Sequence, residues 1–179
     1  MSAVAPALVS LTNTDQLVSL LVPTGWDVLA EDTSTMTIQG PPGEDGYRPT
    51  MKVEVARPER PGHEWFEEFV EGVVPELEAG VEGIEVVGTA HFALSSRNAE
   101  VFAVHTRLSP GPDPDLPPGT PPASQVQAWV WAGSFRMVVF SCSTSQAREE
   151  TDVPLFEEII ASLRLLPARR AVGADEPAL

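Results

Sequence analysis

Positive charge is scarce in this chain. Its 179 residues carry 11 lysines and arginines against 26 aspartates and glutamates, a formal net charge of −15, and Lys52 is the only lysine. Nucleic-acid binding rests on a basic surface, so this balance argues against DNA, RNA and anionic membrane as partners. Arginine in place of lysine is the bias of a GC-rich genome. Cysteine is nearly absent too. Cys142 alone excludes an internal disulfide framework and agrees with a reducing compartment. No apolar run is long enough for a membrane-spanning helix. Residues Met1 to Ser10 lack the basic start and apolar core of a secretory leader. The expectation is a cytoplasmic protein.

What is present points to one folded domain. Apolar residues make up 42% of the chain, and a chain of this length buries roughly two thirds of its unfolded surface. Gln16 to Val22 is β-rich and ends in the turn Pro23-Thr-Gly25, because proline cannot continue a ladder. Trp26 to Ala30 and Thr35 to Ile38 read as short strands, the second closed by the turn-rich segment Gly40 to Gly46. Thr50 to Ala56 alternates Met51, Val53 and Val55 against Lys52 and Glu54, the period of a half-buried strand.

From His63 the period changes. Trp65, Phe66, Phe69, Val70, Val73, Val74 and Leu77 recur at three- and four-residue steps, with Glu64, Glu67, Glu68 and Glu71 between them. That spacing predicts an amphipathic helix, kinked or changed in geometry in its last turn by Pro75 and ended by Gly80 and Gly83. Ile84–Leu94 and Ala99–Leu108 form a predicted hairpin through the polar turn Ser95 to Asn98. The proline-rich loop 109–123 cannot pair regularly. Ser124–Ala132 and Phe135–Ser143 flank Gly133-Ser134, a predicted two-residue turn that sets Trp131 opposite Arg136 and Trp129 opposite Val138. A second amphipathic helix is expected from an Asp152 N-cap until Pro167 ends it, with Val153, Phe156, Ile159, Ile160 and Leu163 on its apolar face. The predicted fold is α+β: a largely antiparallel sheet of seven or eight strands with two main helices. It spans residues 12–166 as one domain, between an N-terminal tail, 1–11, and a C-terminal tail, 167–179.

An early strand leading into Val22-Pro-Thr-Gly-Trp26, a helix after the fourth strand, a twin-tryptophan hairpin and a terminal Phe156-Glu-Glu-Ile-Ile-Ala-Ser-Leu-Arg164 together resemble the Mog1/PsbP-like fold. The resemblance, over about residues 12–166, extends to the actinobacterial LpqN/LpqT-type lipoproteins and the DUF1795 proteins. It implies a protein-binding adaptor: Mog1 engages a small GTPase, PsbP proteins dock on a photosystem, and some DUF1795 members chaperone effectors. It supplies no catalytic motif. With neither a leader nor a lipobox cysteine recognisable in it, the sequence is expected to depart from the lipoprotein branch.

Chemistry-bearing residues are sparse. His63, His91 and His105 lie on different elements without paired ligand spacing. Cys142 reads as a buried thiol beside Phe140, and Ser141 to Ser145 as a strand end without a nucleophile elbow. Asp113 and Asp115 lack the remaining ligands of a calcium loop. No catalytic residue, metal or cofactor is implied. Two surfaces are the candidates for a protein partner: Trp129, Trp131 and Arg136 on one predicted sheet face, rich in interface-favoured residue types, and the acidic face Glu64, Glu67, Glu68 and Glu71. The chain itself is expected to be a monomer or weak homodimer. The alternative is a small-molecule or lipid carrier with a cavity between sheet and helix, recognisable by an apolar pocket with convergent polar groups.

Overall fold

The computed structural model describes residues 8–13, 18–94, 99–109, 122–133 and 136–166. The strands are β1 (Leu8–Asn13), β2 (Val18–Pro23), β3 (Asp27–Glu31), β4 (Thr35–Gln39), β5 (Thr50–Ala56), β6 (Ile84–Leu94), β7 (Ala99–Leu108), β8 (Ala123–Trp131), β9 (Met137–Ser145) and β10 (Arg164–Leu165). The helices are α1 (His63–Gly80) and α2 (Glu149–Ala161). The chain is therefore α+β, with its strands divided between two antiparallel sheets. A seven-stranded sheet runs β3-β4-β5-β9-β8-β7-β6, and a three-stranded one runs β1-β2-β10. Leu8–Asn13 pairs along β2, so residues 8–11, the end of the segment expected as an N-terminal tail, belong to a strand.

The large sheet is covered on both faces. On one face, Met51, Val53, Val101, Val126, Val130 and Phe140 pack with Phe156, Ile159 and Ile160 of α2 and with Val18, Leu20 and Val22 of β2. Residues two apart on a strand share a face, so the intervening Phe102, Val104, Trp131 and Met137 point the other way, where Phe66 and Val73 of α1 meet them. Helix α1 covers only part of that face. Beyond it runs a polar row, Thr37, Lys52, Ser141 and Gln127, matched by register from β4 through β5 and β9 to β8.

Two local expectations are corrected. The Gly133 turn is longer than two residues: Ala132 donates to the Arg136 carbonyl at 3.0 Å, and Arg136 donates to Gly133 at 3.2 Å. Trp131 consequently pairs with Met137 and Trp129 with Val139, one position out from the expected register, which moves Arg136 to the opposite face. Helix α2 begins at Glu149, continuing a 3₁₀ turn over Gln146–Arg148. Asp152 lies inside that helix at 1% exposure and accepts from Thr144 Oγ1 and from Arg148 instead of capping. Helix α1 continues through Pro75. Pro75 and Glu71, whose carbonyl the proline nitrogen cannot serve, both lie on its exposed side.

The Gly40 turn requires its glycine for space. A Cβ there would stand 2.8 Å from Pro49 Cγ and 2.9 Å from Cε2 of the buried Trp26, whose ring meets Phe156 edge-on at 6.4 Å.

Candidate functional site: the groove beside helix α1

The three- and four-residue spacing of α1 buries Phe66 and Val73, leaves Trp65 and Phe69 half-buried at the border, and turns Glu64, Glu67, Glu68 and Glu71 to solvent. The inner face is an aromatic contact with the sheet. Phe66 stacks on Trp131 at 5.6 Å between centroids, Trp65 reaches the same ring at 6.1 Å, and Phe69 meets Trp129 edge-on at 5.5 Å. Each such pair contributes about 0.5–1.5 kcal/mol beyond the area it buries. The two tryptophans therefore anchor the helix. Trp131 is 5% exposed, and Arg136, on the other face, reaches the Leu166 carbonyl at 3.4 Å. These three side chains do not share one surface.

Beside the helix lies a groove of about 530 Å³. Trp65, Phe69 and Met137 give it an apolar floor; Glu68 and Glu76 line the helix side, and Arg57, Glu59 and Arg60 the segment leading into α1. Arg60 donates to Glu68 at 2.6 Å, with both side chains 63% exposed. An ion pair that open is heavily screened and separates at little cost. The groove thus joins half-buried aromatic rings to a helix edge of exposed carboxylates.

The histidines fall into two places. His63 Nε2 lies 2.8 Å and His91 Nε2 3.5 Å from the same Glu100 oxygen, and His63 Nδ1 is 3.5 Å from Glu67. The hydrogen bond with Glu100 raises the His63 pKa, and the same bond lowers that of Glu100. The approach of His91 to Glu100 was readable in principle. A turn at Ser95–Asn98 pairs Leu94 with Ala99, and counting back sets His91 across from Phe102 and diagonal to Glu100. His105 sits on the opposite face, against Ser124 at 2.8 Å.

The remaining candidates are held by structure. Complete burial pushes the Cys142 thiol well above its ordinary pKa, so it carries no nucleophilic thiolate. In the segment 141–145, Ser143 bonds the Tyr47 hydroxyl at 2.7 Å, Thr144 donates to Asp152 and Ser145 donates to Asp45. Among the described residues no group of three or more histidines, cysteines or carboxylates is placed to hold a metal ion, and no helix is long and apolar enough to cross a membrane. Asp113, Asp115 and most of the proline-rich loop lie outside the described residues.

No protein-family model and no curated protein sequence matches the chain. Solved structures do, and they give it the Mog1/PsbP-like fold. The cyanobacterial PsbP (CyanoP) of Synechocystis is similar over 91% of this chain and 94% of its own, with a TM-score of 0.60 and 14% identity. The Ran-binding protein Mog1p of Saccharomyces cerevisiae covers 90% and 97%, with a TM-score of 0.58 and 12% identity. LpqN of Mycobacterium tuberculosis, involved in cell envelope biogenesis, covers 84% and 83%, with a TM-score of 0.62 and 14% identity. At these identities the likeness is one of fold.

Proposed function

We propose that the chain is a non-enzymatic protein-binding module that receives its partner along the α1 groove. The observation that carries this reading is the adjacency of an apolar floor, Trp65, Phe69 and Met137, to exposed carboxylates of the same helix. An interface needs a desolvated apolar anchor within a polar rim, and the groove offers both. Glu64, Glu67, Glu68 and Glu71 would steer a basic segment toward it, and with a net charge of −15 the whole chain reinforces that field. Trp129 and Trp131 serve the site from below by fixing α1. A fold relative, Mog1p, is a Ran-binding protein, which supports a protein as the ligand.

The test exchanges charge without touching the core. Lysine at Glu64, Glu67, Glu68 and Glu71 should abolish recovery of the partner retained by the wild-type chain on affinity capture, with the circular dichroism spectrum unchanged. Equal recovery by both chains would refute the acidic face as the docking surface. Partner association should also slow as salt rises, because exposed charges are screened within about 8–10 Å at physiological ionic strength.

A further inference from the structure

The cleft between the β6 edge of the large sheet and α2 has an unusual construction. At the bulge between Val86 and Gly88 the register shifts, and Gly88 comes to lie across from His105. A Cβ on Gly88 would meet nothing within 4 Å. The missing side chain leaves a cleft of about 250 Å³, walled by Ala90, Ala103 and Val126, with Thr89, His105 and Glu157 as its polar members. By the space a water occupies, it has room for roughly eight non-hydrogen atoms.

Its hydrogen bonds fix the chemistry of the imidazole. Ser124 is fully buried, and its hydroxyl lies 2.8 Å from His105 Nε2, the ring nitrogen that also faces the Glu149 carboxylate. An anion on that side favours the tautomer with its proton on Nε2, so Nε2–H of His105 donates to Ser124. Nδ1 then carries the free lone pair of a neutral ring. Burial, the largest influence on this histidine, lowers its pKa and keeps that form at neutral pH. Ser124 and Glu149 approach the same ring nitrogen, at 2.8 and 3.8 Å, whereas a nucleophilic relay needs them on opposite nitrogens.

Charge follows the same logic. Arg107 spends its guanidinium on Glu149 through bonds of 2.9 and 2.7 Å and faces Glu85 at 3.8 Å. Glu157 is left as the uncompensated charge of the lining, and none of the residues walling the cleft is cationic. We propose that this cleft binds a small organic cation, a primary or secondary ammonium on a compact apolar body, which donates to Glu157 and to His105 Nδ1. Carboxylates and phosphates find no counter-charge there. The cleft lies on the face opposite the α1 groove, so this site stands or falls independently of the docking surface.

Benzylammonium, benzyl alcohol and benzoate share one ring and differ in charge, so titrating each into the isotope-labelled full chain near neutral pH separates the alternatives. Saturable shifts at amides 87–90 and 103–105 are expected for benzylammonium, with a dissociation constant on the order of a millimolar. Benzyl alcohol should bind about fivefold more weakly or worse and benzoate not saturably, the differential expected of one partly exposed charge pair. Glu157→Gln, at an exposed position, should erase the preference for benzylammonium over benzyl alcohol. Gly88→Leu should fill the cleft and remove both, since Gly88 does not have a left-handed backbone that would strain a side chain. Benzoate binding as tightly as benzylammonium, no saturable shift with any probe, or a preference that survives Glu157→Gln would each overturn the proposal.

Discussion

The imidazole Nε2 of His63, the first residue of α1, lies 2.8 Å from the Glu100 carboxylate on β7. This contact ties the start of the groove-forming helix to the sheet and makes its attachment sensitive to pH. The His63 pKa is raised above its ordinary 6.5, so its contribution is complete below that value and lost as pH rises through the folded pKa. The Glu100 pKa is lowered from 4.5, so its contribution is present above that value and lost as pH falls through the folded pKa. The pair therefore stabilises most between those ordinary values. With 44% and 35% of the side chains exposed, screening keeps the contribution under about 1 kcal/mol. His63→Gln should lower the melting temperature by up to about 4 °C near pH 5.5 and by much less near pH 8.5. Melts at the two pH values check this, and an equal deficit at both would show that the contact is not titrating.

Trp131 holds α1 from below, stacked on Phe66 at 5.6 Å and within 6.1 Å of Trp65. Trp131→Ala should cost about 3–5 kcal/mol, the usual loss for a large aromatic removed from a core. The helix should loosen with it. In denaturant melts the midpoint falls with the slope unchanged, provided unfolding remains two-state. A variant as stable as wild type would place the indole outside the core.

The difference between the two hairpins explains what could be read from the sequence. Ile84–Leu94 and Ala99–Leu108, expected as a hairpin, do pair as antiparallel neighbours from Leu94 opposite Ala99, with a register shift between Val86 and Gly88 that nothing local announced. Around Gly133 a register was expected, and one added turn residue reversed the face of every partner, since side-chain period is two. The tryptophan and the arginine separated for that reason alone. Helix α1 was legible because seven apolar positions held its period over four turns. The start of α2 was not, because Asp152 has the composition of an N-cap, whereas its role is set by Thr144, eight residues earlier on β9, and by Arg148. The two-sheet division and the approach of His63 to Glu100 are long-range pairings. Local periodicity carries little information about either.

Asp152 gives the last test. It is buried to 1% exposure, accepts from Thr144 Oγ1, and takes Arg148 Nη2 at 3.0 Å on one oxygen and Nε at 3.0 Å on the other. Arg148 also reaches the Tyr47 and Pro41 carbonyls, at 3.3 and 3.5 Å, so one carboxylate links α2, β9 and the Gly40 loop. Removing it by Asp152→Ala leaves a buried hydroxyl and a guanidinium without their acceptor. The expected cost is about 3 kcal/mol, or a fall in melting temperature of about 6–12 °C for a chain of this size. Thr144→Val takes away only one of the donors and should cost less than Asp152→Ala. Because both substitutions disturb the same hydrogen bond, the double variant should be more stable than their summed costs predict, by about 1 kcal/mol or more. Strict additivity in that cycle would mean that Thr144 and Asp152 do not act through one another.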